Sequence, residues 1–265
     1  MLKIGIPDNA LARWQAEFTQ TELQRIGVES EIAILEDVNA ALLRGTVQLS
    51  VGAMDKLPVV QPGGLVITAV SSRANPADLL VIRPNAVDKT QIFRLKKGAT
   101  VNTSSARRKA QLLDIRPDVN IHPTPSDLQQ LRTGVTDAIF LEAATVHALG
   151  LDLDGLEVLE LHPREFVPAP AQAVLAWLTH RDDLPTRRLL KQIHHTEVSA
   201  LTNVERNLVK LLDGDTSLGA YVERDATGNY HAFAAAERNG ALQRARLSQS
   251  TNAGLAEKLV AQLQG

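Results

Sequence analysis

The chain of 265 residues contains no cysteine. This absence excludes disulfides, thiolate-ligated metals, iron–sulfur clusters and any mechanism that uses a sulfur nucleophile or a sulfur-linked cofactor. Aromatic residues make up only 3% of the chain. That is too few for the base-stacking surfaces of proteins that bind single-stranded nucleic acid.

The chain also has no long apolar runs and no large excess of charge of either sign. No apolar stretch approaches the ~20 residues that cross a bilayer, so we expect no membrane segment. The start of the chain lacks a basic region followed by an apolar one, which predicts a cytoplasmic protein. The 28 Lys and Arg against 30 Asp and Glu leave a net charge of -2, so a nucleic-acid partner is not expected.

The first third of the chain alternates between strand and helix patterns. We predict strands at 2–6, 28–35 and 47–54, with helices at 11–26 and 38–44 between them. Short strands separated by helices are typical of parallel βαβ units. The sequence therefore predicts an α/β sheet.

The same alternation restarts near residue 99 and gives way to another pattern near 184. Thr103, Ser104 and Ser105 are typical residues for the start of a helix at 106–113, and Ser126 with Gln129 fits a capping box. From residue 184 onward, two helices and a short α+β tail are predicted. This indicates a second lobe built like the first, followed by a smaller unit.

Nine stretches together resemble porphobilinogen deaminase (hydroxymethylbilane synthase), the enzyme family that polymerises porphobilinogen in tetrapyrrole biosynthesis. Each is weak alone, but their common order indicates shared fold and ancestry. They are LARWQ (11–15), LPVVQPGGLVITAV (57–70), NPADLLV (75–81), NTSSARRKAQLLDIRPDVNI (102–121), TDAIFLEAATVHALGL (136–151), VPAPAQAVLAW (167–177), IHHTE (193–197), ER (205–206) and LGAYVE (218–223).

The resemblance implies two periplasmic-binding-protein-like α/β lobes around a cleft, with a small C-terminal α+β domain. We expect lobe 1 to comprise 1–82 and 168–182, lobe 2 to comprise 83–167, and the C-terminal domain to comprise 183–265. Fold does not establish function, so the residues of the family's site have to be compared one by one.

The family carries a dipyrromethane primer on a cysteine in its third domain, just before the LGAY-like stretch. In this chain that place falls on Gly214 in LLDGDTSLGAY. Glycine has no atom that forms a thioether, and no other cysteine exists. We therefore expect no dipyrromethane cofactor and no other cofactor.

The family's catalytic aspartate lies in a His-Ser-x-Lys-Asp-x-Pro motif, which reads GAMDKLP (52–58) here. Asp55 takes the place of the family's lysine, and Lys56 takes the place of its aspartate. On extended backbone, neighbouring side chains point to opposite faces, which predicts that Lys56 brings an ammonium into the cleft. A surface ion pair or a drifted loop is the alternative interpretation. Asp55 and Lys56 stay as catalytic candidates.

The family's ligand-holding arginines are only partly kept. Arg107 and Arg108 match, and they lie at a helix start beside Thr103, Ser104 and Ser105. Helix N–H groups, hydroxyls and guanidiniums form a good carboxylate cradle. Asn9 lies near an expected serine and, with Lys56, completes the predicted ligand-binding set. Solvent-facing arginines paired with nearby acids are the alternative.

Two further features have structural and functional interpretations. His194, His195 and Glu197 invite a metal interpretation, but adjacent histidines do not share a helix face, so no metal site is predicted. Glu142 either faces the cleft as a new acid or caps the following helix.

These comparisons favour a degenerate family member that binds an anionic small molecule, such as a pyrrole carboxylic acid, without polymerising it. One alternative is an enzyme with changed chemistry, in which burial activates Lys56 as a base or Schiff-base former. Others are a cofactor-independent hydroxymethylbilane synthase and a regulatory protein partner of a genuine deaminase.

Overall fold

The computed structural model describes residues 1–264 and contains thirteen strands and eight α-helices among them. The strands are β1 (Leu2–Ile6), β2 (Ser30–Ile34), β3 (Leu49–Ala53), β4 (Leu65–Val70), β5 (Asp78–Ile82), β6 (Thr100–Asn102), β7 (Asn120–His122), β8 (Ala138–Glu142), β9 (Glu157–Leu161), β10 (Leu175–His180), β11 (Gly219–Arg224), β12 (Tyr230–Arg238) and β13 (Ala241–Gln249). The α-helices are α1 (Ala10–Arg25), α2 (Val38–Leu43), α3 (Ala106–Ile115), α4 (Leu128–Thr133), α5 (Ala143–Leu149), α6 (Leu184–Leu190), α7 (Thr196–Leu211) and α8 (Leu255–Gln264).

The first sheet has the strand order β2-β1-β3-β10-β4. Strand β1 pairs in parallel with β2 and β3, whereas β10 lies antiparallel between β3 and β4. The centre of β10 is buried against the helices of this sheet. The Nε1 of Trp177 donates to the hydroxyl of Thr19 in α1 over 2.9 Å, which satisfies the buried indole.

The second sheet repeats the same plan with the order β7-β6-β8-β5-β9. Here β6 pairs in parallel with β7 and β8, and β5 is the antiparallel strand between β8 and β9. In both sheets one antiparallel strand is thus inserted beside the third strand of a parallel set. This is the topology of periplasmic-binding-protein-like lobes, and the predicted α/β fold class is confirmed.

A separate three-stranded antiparallel sheet follows, with the order β11-β12-β13. Alternate residues of β12, such as Ala232 and Ala234, pack with Leu208 of α7 and Leu259 of α8 in one core. The opposite face carries Phe233, which packs against Val167. This part of the chain forms the predicted small α+β assembly.

Contacts divide the chain into two compact units. Unit 1 comprises Met1–Ala74 and Ala171–Ala200, and unit 2 comprises Asn75–Pro170 with the residues from Leu201 onward. The predicted boundary after residue 82 differs from the sheet topology, because Asp78–Ile82 pairs with β8 and β9 of the second sheet. The rest of the predicted domain division stays a prediction.

Helix starts follow the capping residues, with one correction. Asn9 caps α1 by accepting from the backbone N–H of Ala12 over 2.9 Å. The capping box at Ser126 is wrong, because the carboxylate of Asp127 accepts from the N–H groups of Gln129 and Gln130 instead. Among residues 1–264, no helix has the length and apolar character needed to cross a membrane.

Candidate functional site

The predicted ligand-binding residues and the catalytic candidates fall into two groups. Thr103, Ser104, Ser105, Arg107 and Arg108 lie in unit 2, between the end of β6 and the first turn of α3. Asn9, Asp55 and Lys56 lie in unit 1.

In unit 2 both Arg107 and Arg108 form ion pairs with Asp78, the first residue of β5. The Nη1 of Arg107 lies 2.8 Å from Oδ2 of Asp78, and the Nη2 of Arg108 lies 2.7 Å from Oδ1. The side chains are 5%, 13% and 0% exposed for Arg107, Arg108 and Asp78 respectively. The guanidiniums therefore do not face solvent freely, and much of their charge is already balanced.

The ionised state of Asp78 depends on this pairing. Burial raises the pKa of its carboxyl group, but the charges of Arg107 and Arg108 and the hydrogen bonds that they donate outweigh burial and lower the pKa to about 2. Asp78 is thus a carboxylate at neutral pH. A buried carboxylate requires such compensation, because an uncompensated charge in the interior is costly.

Arg108 also connects Asp78 to a second acid. Asp78 and Glu142 lie opposite each other on the antiparallel strands β5 and β8, where like charges repel. The Nη2 of Arg108 lies 3.8 Å from Oε1 of Glu142 as well, and its guanidinium lies 5.8 Å from the ring centroid of Phe140. Two arginines and two carboxylates therefore form one cluster with nearly balanced charge.

Glu142 does not cap α5 with its side chain. It occupies the position before the helix, but its carboxylate makes no capping hydrogen bond to the first turn. Instead, Oε2 accepts from the hydroxyl of Thr145 over 3.3 Å. The capping interpretation of Glu142 is wrong, and its contact with Arg108 assigns it to the charge cluster.

Arg107 is further fixed by the backbone of Val167. Its Nη1 donates to the Val167 carbonyl over 2.8 Å, and the side-chain amide of Gln111 donates to the same oxygen over 2.9 Å. The N–H of Val167 in turn donates to Oε1 of Gln111 over 2.7 Å. The first half of α3 thus holds the segment between β9 and β10 in place.

The start of α3 combines a helix N-terminus with hydroxyl groups. Ser105 is the N-cap and accepts from the N–H of Arg108 over 3.3 Å, while the hydroxyl of Thr103 accepts from the N–H of Ser105 over 3.2 Å. Thr103 is buried and Ser104 is exposed. A helix N-terminus with such donors favours a negatively charged group.

In unit 1 the backbone around Asp55 and Lys56 differs from the expectation. Met54–Lys56 forms a 3-10 helix rather than extended chain, so neighbouring side chains do not alternate between two faces. Asp55 is the buried member, with a side chain 1% exposed, whereas the Lys56 side chain is 65% exposed. The two side chains form an ion pair at 2.6 Å. The expectation of extended backbone is wrong. The two side chains form an ion pair, but because the Asp55 side chain is buried it is not the surface pair of the alternative interpretation.

The adjacent histidines have backbone partners. His194 accepts at Nδ1 from the N–H of Val70 over 3.2 Å, and His195 accepts at Nδ1 from the N–H of Val198 over 3.2 Å. Burial, with the neighbouring His195, lowers the pKa of His194. Within residues 1–264 no three His, Asp or Glu side chains converge as a metal site would require.

The loop after α7 does not fit a thioether-linked cofactor. Gly214 has a φ of +75°, in the left-handed region, and no atom lies within 4 Å of the position where its Cβ would stand. The next residue, Asp215, is held by Arg238 and by the hydroxyl and N–H of Ser217. Burial alone would raise the pKa of Asp215, but the hydrogen bonds from Arg238 and Ser217 together have the larger effect. The pKa of Asp215 is therefore lowered from its usual value. Asp215 is thus a carboxylate paired with Arg238, next to a position that has no side chain to form a thioether.

Sequence reasoning missed Asp78, although the signal was present. The stretch ADLLVI places one acid in an otherwise apolar strand. A charged residue in a buried strand is almost never found without a partner. This pattern alone predicts a pairing with a nearby arginine.

Comparisons with known proteins identify the family of this chain. A family model described as porphobilinogen deaminase, dipyromethane cofactor binding domain, matches residues 30–188. A porphobilinogen deaminase from Chloroherpeton thalassium is 31% identical over 260 residues, covering 87% of this chain and 81% of the relative. A probable porphobilinogen deaminase from Methanocella arvoryzae is 32% identical over 256 residues, covering 84% of this chain and 80% of the relative.

The solved structures that match this chain include a nutrient binding protein from Burkholderia cenocepacia bound to methionine. It is 14% identical, covers 72% of this chain and 90% of its own, and has a TM-score of 0.46. The two repeated sheets define an α/β protein of the periplasmic-binding-protein-like class. Within that class, the chain belongs to the porphobilinogen deaminase family.

Proposed function

We propose that this family member binds an anionic small molecule, such as a pyrrole carboxylic acid, in the cleft that the family resemblance implies between its lobes. It does so without assembling a pyrrole chain on a cysteine-linked primer. The observation that carries this proposal is the absence of cysteine, with a left-handed glycine, Gly214, at the family's attachment position.

The α3 start supports the anion-binding part of the proposal. It offers a helix N-terminus and the exposed Ser104 next to Arg107 and Arg108. Because Asp78 already balances much of the guanidinium charge, the ligand is held mainly by hydrogen bonds from the α3 start rather than by net positive charge. Asn9 and Lys56 are the proposed contributions of unit 1.

The Lys56 alternative has less support. A Schiff-base or general-base lysine requires burial that favours the neutral amine, whereas the Lys56 side chain is 65% exposed and paired with Asp55. The observations favour binding over this changed chemistry.

Isothermal titration with porphobilinogen tests the proposal. We expect a saturable binding heat without release of ammonia. Ser104→Asp should weaken binding about fivefold or more, because like charges a few ångströms apart near a surface repel by about 1 kcal/mol or more. The matched control is Ser250→Asp, which adds the same charge at another exposed serine, beyond the end of β13, and should leave the binding unchanged.

Two results would contradict the proposal. The absence of heat with porphobilinogen and with simple dicarboxylates would refute ligand binding. Ammonia release together with uroporphyrin fluorescence would show that polymerisation persists, which is the cofactor-independent alternative.

A further inference from the structure

A chain of hydrogen bonds joins a serine, a histidine and an aspartate on the three-stranded sheet of unit 2. The Oγ of Ser248 lies 2.7 Å from Nδ1 of His231, and Nε2 of the same ring lies 2.9 Å from Oδ2 of Asp225. None of these three residues belongs to the site described above.

The strand register brings the three side chains together. His231 on β12 lies directly opposite Ser248 on β13. Asp225 follows the end of β11, in the turn that leads back into β12. The turn is fixed because the Asp225 carboxylate accepts from the N–H and hydroxyl of Thr227 and from the N–H of Asn229.

Asp225 determines which nitrogen of His231 carries the proton. Hydrogen bonds from His231 and then Thr227 lower the pKa of Asp225 well below its usual range. The carboxylate is therefore an acceptor only, so Nε2 of His231 is the protonated nitrogen. In the neutral ring this leaves the lone pair at Nδ1, where the Ser248 hydroxyl donates. A serine with a basic nitrogen at this distance, oriented by a third group, has the roles of an activated nucleophile. The two ring nitrogens are exchanged relative to the Ser-His-Asp triad.

The surroundings of Ser248 suit a small acyl substrate. Ser248 is exposed on the edge strand of the sheet. Arg246 lies two residues earlier on the same face of β13, and its guanidinium lies 5.0 Å from the ring centroid of Phe233. A cation on this face of the sheet favours the negative charge that develops on an attacked carbonyl.

We propose that the exposed Ser248 is a nucleophile for acyl transfer from small carboxylic esters. His231 acts as the general base, and Asp225 is a positioning residue. The Ser248 oxygen bonds to the ester carbonyl carbon while its proton passes to Nδ1 of His231. The bond to the leaving oxygen then breaks, and that oxygen takes the proton from His231. Water repeats the sequence on the acyl-serine, releasing the acid and restoring the hydroxyl.

The test uses the full chain with two probes, a fluorophosphonate and 4-nitrophenyl acetate. We expect the fluorophosphonate to label Ser248, as located by peptide mass spectrometry. Ser248→Ala and His231→Gln should each lower the hydrolysis of 4-nitrophenyl acetate by about tenfold or more. Ser250→Ala removes another exposed serine of the same segment and should leave the rate unchanged. Equal rates for the parent chain and Ser248→Ala, or a label on another residue, would overturn the proposal.

The role of Asp225 has its own readout. Nitrogen-15 spectra of the His231 ring should show the Nε2–H tautomer in the parent chain and a loss of that preference in Asp225→Asn. An unchanged tautomer population in Asp225→Asn would show that the carboxylate does not position the ring.

Discussion

The carboxylate of Asp78 lies 2.8 Å from Nη1 of Arg107, and both side chains are almost fully buried. Arg108 donates to the other oxygen of the same carboxylate through Nη2 and Nε, over 2.7 and 3.2 Å. Two residues that are expected to hold a ligand are therefore also structural partners of a buried acid. The pairing with Asp78 gives these arginines a structural role that does not depend on a ligand.

Replacing Asp78 by asparagine should strongly destabilise the protein. The change leaves two guanidiniums in the interior without their carboxylate, and breaking a buried pair in this way costs about 3–5 kcal/mol. Urea denaturation followed by circular dichroism measures the free energy of unfolding. The exposed pair of Arg13 and Asp8 gives the control, since Asp8→Asn should cost under about 1 kcal/mol. Equal losses for the two variants would contradict this assignment.

The pairing of Asp78 also predicts a pH dependence. The pKa of its carboxyl group is lowered from 3.8 to about 2 in the folded chain, so the unfolded state binds a proton first as the pH falls. The contribution is fully present above about pH 4 and is lost between about pH 4 and 2, with a size of about 2 kcal/mol.

The measurement compares the parent chain with Asp78→Asn between pH 6 and 2.5. Other carboxyl groups cancel in the difference between their free energies of unfolding. That difference should be constant above pH 5 and shrink as the pH falls below 4. A constant difference over the whole range would rule out the ionised Asp78 as its source.

The repeating part of the fold was predictable because local signals there agree with the tertiary structure. Apolar runs with caps such as Asn9 predict β1 and α1 within one or two residues of the observed bounds. The edge strands β9 and β13 were not predicted. Their sequences, EVLEL and ALQRARLSQ, carry polar residues toward solvent, and an edge strand has a weaker apolar signal than a central one.

The candidate site was less predictable than the fold, because its partners come from distant parts of the chain. Asp78 precedes Arg108 by 30 residues, and the strand pairing that opposes Asp78 to Glu142 cannot be deduced from local pattern. At Asp55 and Lys56 the expectation of extended backbone was wrong, since three residues of 3-10 helix interrupt the chain after β3.

Restoring a cysteine at Gly214 should not restore a cofactor. Gly214→Cys places a side chain on left-handed backbone, where a non-glycine residue costs about 1–2 kcal/mol, but the space around its Cβ is open. We expect a thiol that reacts with a maleimide, yet no added pyrrole mass after incubation with porphobilinogen, because Lys56 still takes the place of the family's catalytic aspartate.

Intact-protein mass spectrometry makes this measurement, and Gly63→Cys supplies an open position elsewhere in the chain as a control. A dipyrrole adduct on Gly214→Cys but not on Gly63→Cys would show that the missing thiol is the only barrier to primer attachment.

Gly219 at the start of β11 should tolerate no side chain, because its backbone lies close to the Val167 carbonyl group that fixes Arg107. A Cβ there would lie 2.6 Å from the carbonyl oxygen of Val167, the same oxygen that accepts from Arg107 and Gln111. The obstructing atom belongs to the backbone, so it moves only if those hydrogen bonds move with it.

Gly219→Ala should therefore lower the free energy of unfolding by about 1–3 kcal/mol, as overpacking typically does. It should also shift the side-chain Nε signal of Arg107 in nitrogen-15 spectra. Gly63→Ala, with open space around its Cβ, should leave both unchanged. A stable Gly219→Ala variant with an unshifted Arg107 signal would mean that the Val167 carbonyl does not couple β11 to the charge cluster.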